Sequence, residues 1–349
     1  MNDPRSGLRA HGSGLGVADR RGVLLMTYGS PADLDDVPRY LTEVRGGRAP
    51  EPDLVVEFTR RYRVIGGSPL VPITRRQAAA LEARLGPGFR VEAGMRFSEP
   101  SIEAALRALA GDGAARVAGL ILSPQYSPLL MGGYARAVEA AREQVGPQAP
   151  PVVVAEAWGT EPAFVAALAG RIRTALAEMA GGGADVPVLL TAHSLPRRVA
   201  EQEPGYLDQL EATATAVAEA AGLARGRWRF CWQSAGHEPG EWMKPDFADL
   251  MPLLRSEGNA AVLVAPVQFL ADHLEILYDI DVGAREQAEA AGLAFCRIRS
   301  LDDDPSFIEA LASVVERTLE GRPLGGEPSA TASATPAWSV RRAASGRPV

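Results

Sequence analysis

Among four histidines in a chain of 349 residues, His193 stands out because it ends the apolar run Val188-Leu189-Leu190-Thr191-Ala192-His193-Ser194-Leu195-Pro196. An imidazole at the end of a buried strand can take a proton or contact a divalent metal near neutral pH. A second grouping is Asp272-His273-Leu274-Glu275-Ile276-Leu277-Tyr278-Asp279. Glu275 and Asp279 are four residues apart, so on a helix they share one face, about 6 Å apart along the axis. Leu274, Ile276, Leu277 and Tyr278 make this segment apolar nearly all round. The two acids are therefore expected half-buried in a cleft, where a carboxylate is costly unless it meets a proton or a metal ion. Tyr28 is the third candidate. It lies in Val23-Leu24-Leu25-Met26-Thr27-Tyr28-Gly29-Ser30-Pro31, and aligning Pro31 with Pro196 sets Tyr28 opposite His193, which predicts two similar halves facing one pocket.

The elements that must position these groups alternate between strand and helix. Strands are expected at 23–27, 89–93, 117–122, 152–155, 187–191, 228–232, 261–265 and 293–298, each a short apolar run. Helices are expected at 34–45, 51–65, 74–85, 101–110, 161–180, 203–222, 246–255, 270–290 and 305–320, with one more from Gly133 to about Gln144. Such alternation is the signature of α/β architecture with parallel sheets. The proline after each of the two central strands cannot continue a ladder, so His193 belongs at the sheet edge where ligands bind. Tyr28-Gly29-Ser30-Pro31 is not a glycine-rich dinucleotide turn, which argues against a nucleotide cofactor at that crossing. The expected organisation is an arm at 1–21, halves at 22–150 and 151–320, and a Gly/Pro/Ser/Ala/Thr-rich tail at 321–349, with arm and tail disordered.

Composition narrows the function classes. An apolar fraction of 46% and a charged fraction of 23% fit a soluble globular chain. The net charge of −7, with no basic block interleaved with aromatics, argues against nucleic acid as a partner. No apolar run approaches the roughly 18 to 20 residues of a membrane span, and residues 1–21 lack a secretory apolar core, so a cytoplasmic location is expected. Cys231 and Cys296, the only cysteines, form neither a zinc motif nor a disulfide framework.

Four separated motifs, in order, resemble those of ferrochelatases. Thr191-Ala192-His193-Ser194-Leu195-Pro196 is similar to the family's AHSLP motif, and Ala271-Asp272-His273-Leu274-Glu275-Ile276-Leu277-Tyr278 to its DHxETLY helix. Trp232-Gln233-Ser234 with Trp242-Met243-Lys244-Pro245 resembles its WQS and WLxPD loop, and Pro124-Gln125-Tyr126-Ser127 its PQYS loop. The resemblance covers about residues 22 to 320. It implies two Rossmann-like halves with a porphyrin cleft between them, the chelatase fold, and insertion of Fe²⁺ into the macrocycle with loss of two pyrrole protons. His193 and Glu275 are then the catalytic pair and, with Asp279, the groups that meet the metal; mixed imidazole and carboxylate ligation suits a divalent first-row ion. Which of His193 and Glu275 takes the proton stays open. Where the family often carries a further acid one turn on, this chain has Gly283.

Tyr28 bears on the subtype. Thr27-Tyr28-Gly29-Ser30-Pro31 resembles the AYGTP pattern of the branch that metallates coproporphyrin III, in which a tyrosine approaches the metal from the face opposite the histidine. A substrate with four propionates needs donors at its rim. Arg45, Tyr62 and Ser68 look like the propionate-proximal residues of that branch, with Ser127 a weaker candidate, and guanidinium and hydroxyl groups make charge-assisted bonds to carboxylates. Ser68 equally suits a local bond within the Gly66-Gly67-Ser68-Pro69 turn. Some relatives hold an iron–sulfur cluster on four ligands; two cysteines do not suffice, so no permanently bound cofactor is expected and Fe²⁺ enters as substrate. The expected partners are the porphyrin and Fe²⁺, with at most transient contact with other enzymes of haem biosynthesis, and the expected state is a monomer. The alternatives are a protoporphyrin IX ferrochelatase and, from another class, a non-catalytic tetrapyrrole carrier.

Overall fold

The computed structural model describes residues 20–236 and 240–324. Most of the expected arm and tail, together with His11 and His237, lies outside the described residues. The first half opens with β1 (Arg21–Thr27), followed by α1 (Val37–Val44), α2 (Pro52–Val64), α3 (Leu70–Leu85), β2 (Phe89–Met95) and α4 (Ile102–Gly111). It continues with β3 (Arg116–Ile121), α5 (Pro128–Val145), β4 (Val152–Val154) and α6 (Pro162–Glu178). The second comprises β5 (Val188–His193), α7 (Arg197–Gln202), α8 (Pro204–Ala220), β6 (Trp228–Gln233), α9 (Phe247–Ser256) and β7 (Ala261–Pro266). There follow α10 (Leu274–Leu277), a π-helical turn (Asp279–Ala284), α11 (Arg285–Ala290), β8 (Ala294–Arg297) and α12 (Pro305–Glu320).

Two four-stranded sheets result, ordered β2-β1-β3-β4 and β6-β5-β7-β8, with every pairing parallel. Helices on both faces bury each central strand completely, which is why these strands read as unbroken apolar runs: Val23, Leu24, Leu25 and Met26 in β1 and Val188, Leu189 and Leu190 in β5 are inaccessible to solvent. Strand order reverses beside β1 and beside β5, so each half has its switch point there, and ligands of open parallel sheets bind outside the C-terminal ends of such strands. Tyr28 directly follows β1 and His193 ends β5.

Several boundaries differ from expectation. Val152–Val154, expected to open the second half at residue 151, pairs with β3 and completes the first sheet. The last helix, α12, returns to pack on α3, α6 and β3, and Arg76 to Asp303 at 3.0 Å ties α3 to its approach. Trp158, Phe164 and Phe307 stack where α6 and α12 meet, all within 1% of full burial. Helix α3 starts at Leu70 and not at Thr74; Pro72 is tolerated in a first turn whose N–H groups have no helical partner anyway, and Thr74 Oγ1 donates back to Leu70 O at 2.9 Å. Helix α5 starts before the Gly132-Gly133 pair, capped by Ser127, and Gly133 sits inside it where a side chain would collide with the Arg96 guanidinium. The short helix α7 was not anticipated.

The most consequential difference is in the segment expected as one helix over 270–290, which is a single α turn, a π turn and a second short α-helix. Residues repeating every fourth position drift around an α-helix by about 40° per step. The wider π turn winds less per residue and offsets part of that drift, keeping Glu275, Asp279, Gly283 and Gln287 along one wall.

Candidate functional site

The end of β5 is held rigidly. The backbone N–H of His193 donates to Gln268 Oε1 at 2.8 Å, and Gln268 in turn donates to the buried Tyr206 hydroxyl. One strand over, the buried Gln233 accepts from Thr191 Oγ1 at 2.6 Å and donates to the backbone carbonyl of Glu275 at 3.3 Å, linking β5, β6 and α10. Phe269 and Trp242 flank the imidazole with ring centroids 6.4 and 6.5 Å away. The Nδ1 atom of His193 faces the carbonyl of Ser194. A carbonyl only accepts, so Nδ1 carries the hydrogen and the lone pair lies on Nε2. That atom is 3.9 Å from Glu275 Oε2.

Glu275 faces a second imidazole. His273 Nδ1 donates to Ala271 O at 2.8 Å, and its Nε2 also lies 3.9 Å from Glu275 Oε2. Burial alone would push the His273 pKa down, but the hydrogen bond and charge of Glu275 prevail and raise it. Burial would likewise raise the Glu275 carboxyl, yet His193 and His273 together hold it below its ordinary value. Asp279 goes the other way. Burial dominates and raises it, helped by the like charge of Glu275, against a hydrogen bond from Ser234 and the pull of Arg61, whose Nη1 is 3.7 Å from Asp279 Oδ1.

His193, Gln233, Ser234, Glu275 and Asp279 line one cavity of about 420 Å³, within the size range of small-molecule sites, together with Phe58 and Arg61 of α2; His273 lies behind Glu275, outside the lining. Among the described residues no three His, Cys, Asp or Glu side chains converge into a ready cage for a metal ion.

Of the residues singled out from sequence, His193, Glu275 and Asp279 share this cavity. Tyr28 lies outside its lining but faces the same carboxylate: burial raises its phenol, Arg96 opposes, and Glu275 adds to the rise. Its ring sits edge-on against Phe97 at 4.6 Å and is 42% exposed. The turn that carries it is fixed by Gly29, whose φ of +92° and contact with Ser98 leave no room for a side chain, and whose carbonyl accepts from Tyr40 at 3.1 Å.

The expected carboxylate donors are more dispersed. Tyr62 is buried at 4% exposure and hydrogen-bonds Tyr40; burial, with Glu275 next, pushes its phenol well up. It belongs to a small apolar cluster of α1 and α2 that closes on Leu274, the neighbour of Glu275. Arg45 ends α1 with a buried Nε that has no hydrogen-bond partner among the described residues. Ser68 accepts from Leu70 N at 3.4 Å within its turn, leaving its own proton free. Ser127 is 1% exposed and caps α5 by accepting from Leu130 N at 3.2 Å. Sequence reasoning missed His273, Arg61, Ser234 and Arg96 as site residues. His273 and Ser234 lay inside quoted motifs; Arg61 and Arg96 carried no local signal, as their partners come from distant segments. Arg96 sits among the rings of Phe97, Tyr134 and Tyr28 at 4.6, 5.5 and 6.0 Å.

Two parallel sheets of matching strand order, with donors gathered at their C-terminal edges, define a chelatase-type α/β fold. The chain is similar to SirB from Bacillus subtilis with Fe³⁺ at a TM-score of 0.54 and 12% identity, over 86% of this chain and 98% of that one. A ferrochelatase family model matches residues 20–319, and the chain belongs to the ferrochelatase family. It is 39% identical over 305 residues to a ferrochelatase of Herpetosiphon aurantiacus, covering 86% of this chain and 99% of the relative. It is 38% identical over 307 residues to the coproporphyrin III ferrochelatase of Geobacillus kaustophilus, covering 86% and 96%. The coproporphyrin III ferrochelatase of Bacillus subtilis is 35% identical over 308 residues, covering 86% and 98%. Among the described residues no helix is long and apolar enough to cross a membrane.

Proposed function

We propose that this chain is a cytoplasmic enzyme that inserts Fe²⁺ into coproporphyrin III: the macrocycle loses two pyrrole N–H protons, gains four Fe–N bonds and leaves as the iron porphyrin. The observation that carries the reading is the free Nε2 of His193 facing the Glu275 carboxylate at 3.9 Å within the cavity. With Nδ1 already donating to a carbonyl, His193 offers Nε2 as proton acceptor or transient metal contact. Glu275, held anionic by two imidazoles, stabilises the imidazolium so formed and attracts the incoming cation. Asp279, whose carboxyl is raised, accepts protons more readily than an ordinary aspartate and extends the acidic wall outward.

The choice of coproporphyrin III rests on Tyr28-Gly29-Ser30-Pro31 at the switch point of the first half, and on relatives of about equal identity that bear that substrate in their names. Arg45, with its unpartnered Nε, is the first candidate for a propionate; Tyr62 and Ser68 follow.

The test is anaerobic turnover with Fe²⁺, comparing coproporphyrin III with protoporphyrin IX by the shift of the porphyrin absorption band. Faster turnover of coproporphyrin III supports the reading, and preference for protoporphyrin IX refutes the substrate while leaving the reaction. His193→Ala decides between enzyme and carrier: it should lose turnover and keep porphyrin affinity, whereas a parent protein that binds both porphyrins and metallates neither is a carrier.

A further inference from the structure

We propose that Arg297 is a positioning residue for the metal-handling wall, holding Glu275 and Asp279 in register from behind; the role in turnover rests on the metallation reading above. The segment that carries these acids is irregular: one α turn, Leu274–Leu277, runs into a π turn, Asp279–Ala284, a rare geometry found mostly as single turns at functional sites. Arg297, at the end of β8, holds this segment at two points, just ahead of the α turn and within the π turn. Its Nε and Nη2 donate to the two carboxylate oxygens of Asp281 at 2.7 and 2.8 Å, and Nη2 also lies 3.4 Å from Asp272 Oδ1. The remaining N–H groups, on Nη1, go to Ile298 O at 2.9 Å and Ser300 Oγ at 3.2 Å. Four of the five guanidinium N–H groups are thereby hydrogen-bonded, Nη2 adds the ion pair with Asp272, and the side chain is only 11% exposed.

The two carboxylates it holds bracket the acidic wall: Asp272 precedes His273 and Glu275, and Asp281 follows Asp279. Asp272 is tied further, accepting from Ser300 Oγ at 2.6 Å and donating its N–H to Asp302 Oδ1 at 3.0 Å. Neither Asp272 nor Asp281 lines the cavity, whereas Glu275, Asp279 and Gly283 do. Arg297 therefore touches no reactant and acts through the curvature of the segment. Among the described residues no other Arg or Lys pairs with the side chain of either aspartate. Only a planar fork can serve both; lysine, a single point charge, can hold one.

The experiment uses the full chain and the variants Arg297→Lys, Asp281→Asn and the two combined. Three quantities are read: the KM for Fe²⁺, porphyrin affinity by absorption titration, and amide hydrogen exchange across residues 274–284. The expected result is an Fe²⁺ KM raised about tenfold or more, as for other residues that orient metal ligands from outside. Porphyrin affinity should stay unchanged, and faster exchange should be confined to 274–284. The combined variant should be no worse than either single one, since both cut the same link. A parallel loss of porphyrin affinity, or exchange that rises across the whole second sheet, would reduce Arg297 to a general structural role and overturn the proposal, as would exchange at 274–284 equal to the parent's. A parent protein without chelatase turnover refutes the functional reading and the role in turnover; the exchange result in the same variants still decides whether the clamp exists.

Discussion

Replacing Glu275 by Gln removes one negative charge while keeping the shape of the side chain, and its effect can be worked from two distances. Glu275 Oε2 lies 3.9 Å from Nε2 of both His193 and His273. A unit charge pair at that separation is worth about 4 kcal/mol at an effective dielectric of about 20, and about 1 kcal/mol in water. The side chains of His193 and Glu275 are 32% and 34% exposed, so solvent screening brings the figure to roughly 2 kcal/mol. If His193 becomes an imidazolium as it takes a pyrrole proton, losing that support lowers kcat about 30-fold, and loss of the charge that attracts the metal adds to it. Anaerobic Fe²⁺ turnover measures this directly, with circular dichroism to check that the fold is kept. The same substitution leaves burial as the main influence on His273, so its pKa, followed by NMR, should fall. The stability lost has a defined pH window. A lowered Glu275 contributes above its ordinary 4.5 and loses the contribution as pH falls through its folded value; a raised His273 contributes below its ordinary 6.5 and loses it as pH rises through its folded value. The parent should therefore exceed the variant most between these two ordinary values. Unchanged turnover would remove Glu275 from the mechanism, and a stability difference independent of pH would refute the electrostatic account.

Three further outcomes are expected. Asp279→Asn should stabilise the protein at pH 7, because a raised carboxyl is favourable below its ordinary 3.8 and loses that contribution as pH rises through its folded value; thermal melts should show the gain vanishing in acid. Phe307→Ala should cost about 3 to 5 kcal/mol in urea unfolding, because it empties the fully buried junction with Trp158 and Phe164 that joins α12 to α6. Tyr28→Phe should alter the absorption spectrum of the bound iron porphyrin if the phenol approaches the metal, and an identical spectrum would exclude axial contact.

Strands were the most readable feature because parallel strands are buried on both faces and so appear as short apolar runs closed by proline or glycine. Pairing was less readable. Val152–Val154 follows a helix just as Val188–His193 does, and nothing local says that the first completes one sheet while the second starts another. The π turn was hidden for a similar reason. Apolar spacing at 274–284 suits an α-helix, and the wider turn is bound through Asp281 by Arg297, which lies on a later strand. Helix starts at Leu70 and Pro128 were obscured by residues usually read as breakers, Pro72 and Gly132-Gly133. The first sits where no helical N–H is needed, and the second makes room for Arg96.

The site was legible where a residue's role follows from its own position and illegible where a distant partner sets it. His193 and Glu275 each sit beside the C-terminal end of a central strand, so the architecture brings them together once the sheets form. Ser127 shows that a motif residue can also serve its own helix, since its oxygen caps α5 by accepting the nearby N–H of Leu130. No spacing rule reveals that Glu275 and Asp279, on one stripe and both acidic, are driven in opposite directions. Two imidazoles keep the first anionic, while burial and the charge of the first make the second readier to hold a proton. Carboxyls pushed apart in this way divide the labour of acid and base. On the proposed function, Glu275 stays charged beside the incoming cation while Asp279, one turn further out, is the readier of the two to hold a proton from the macrocycle.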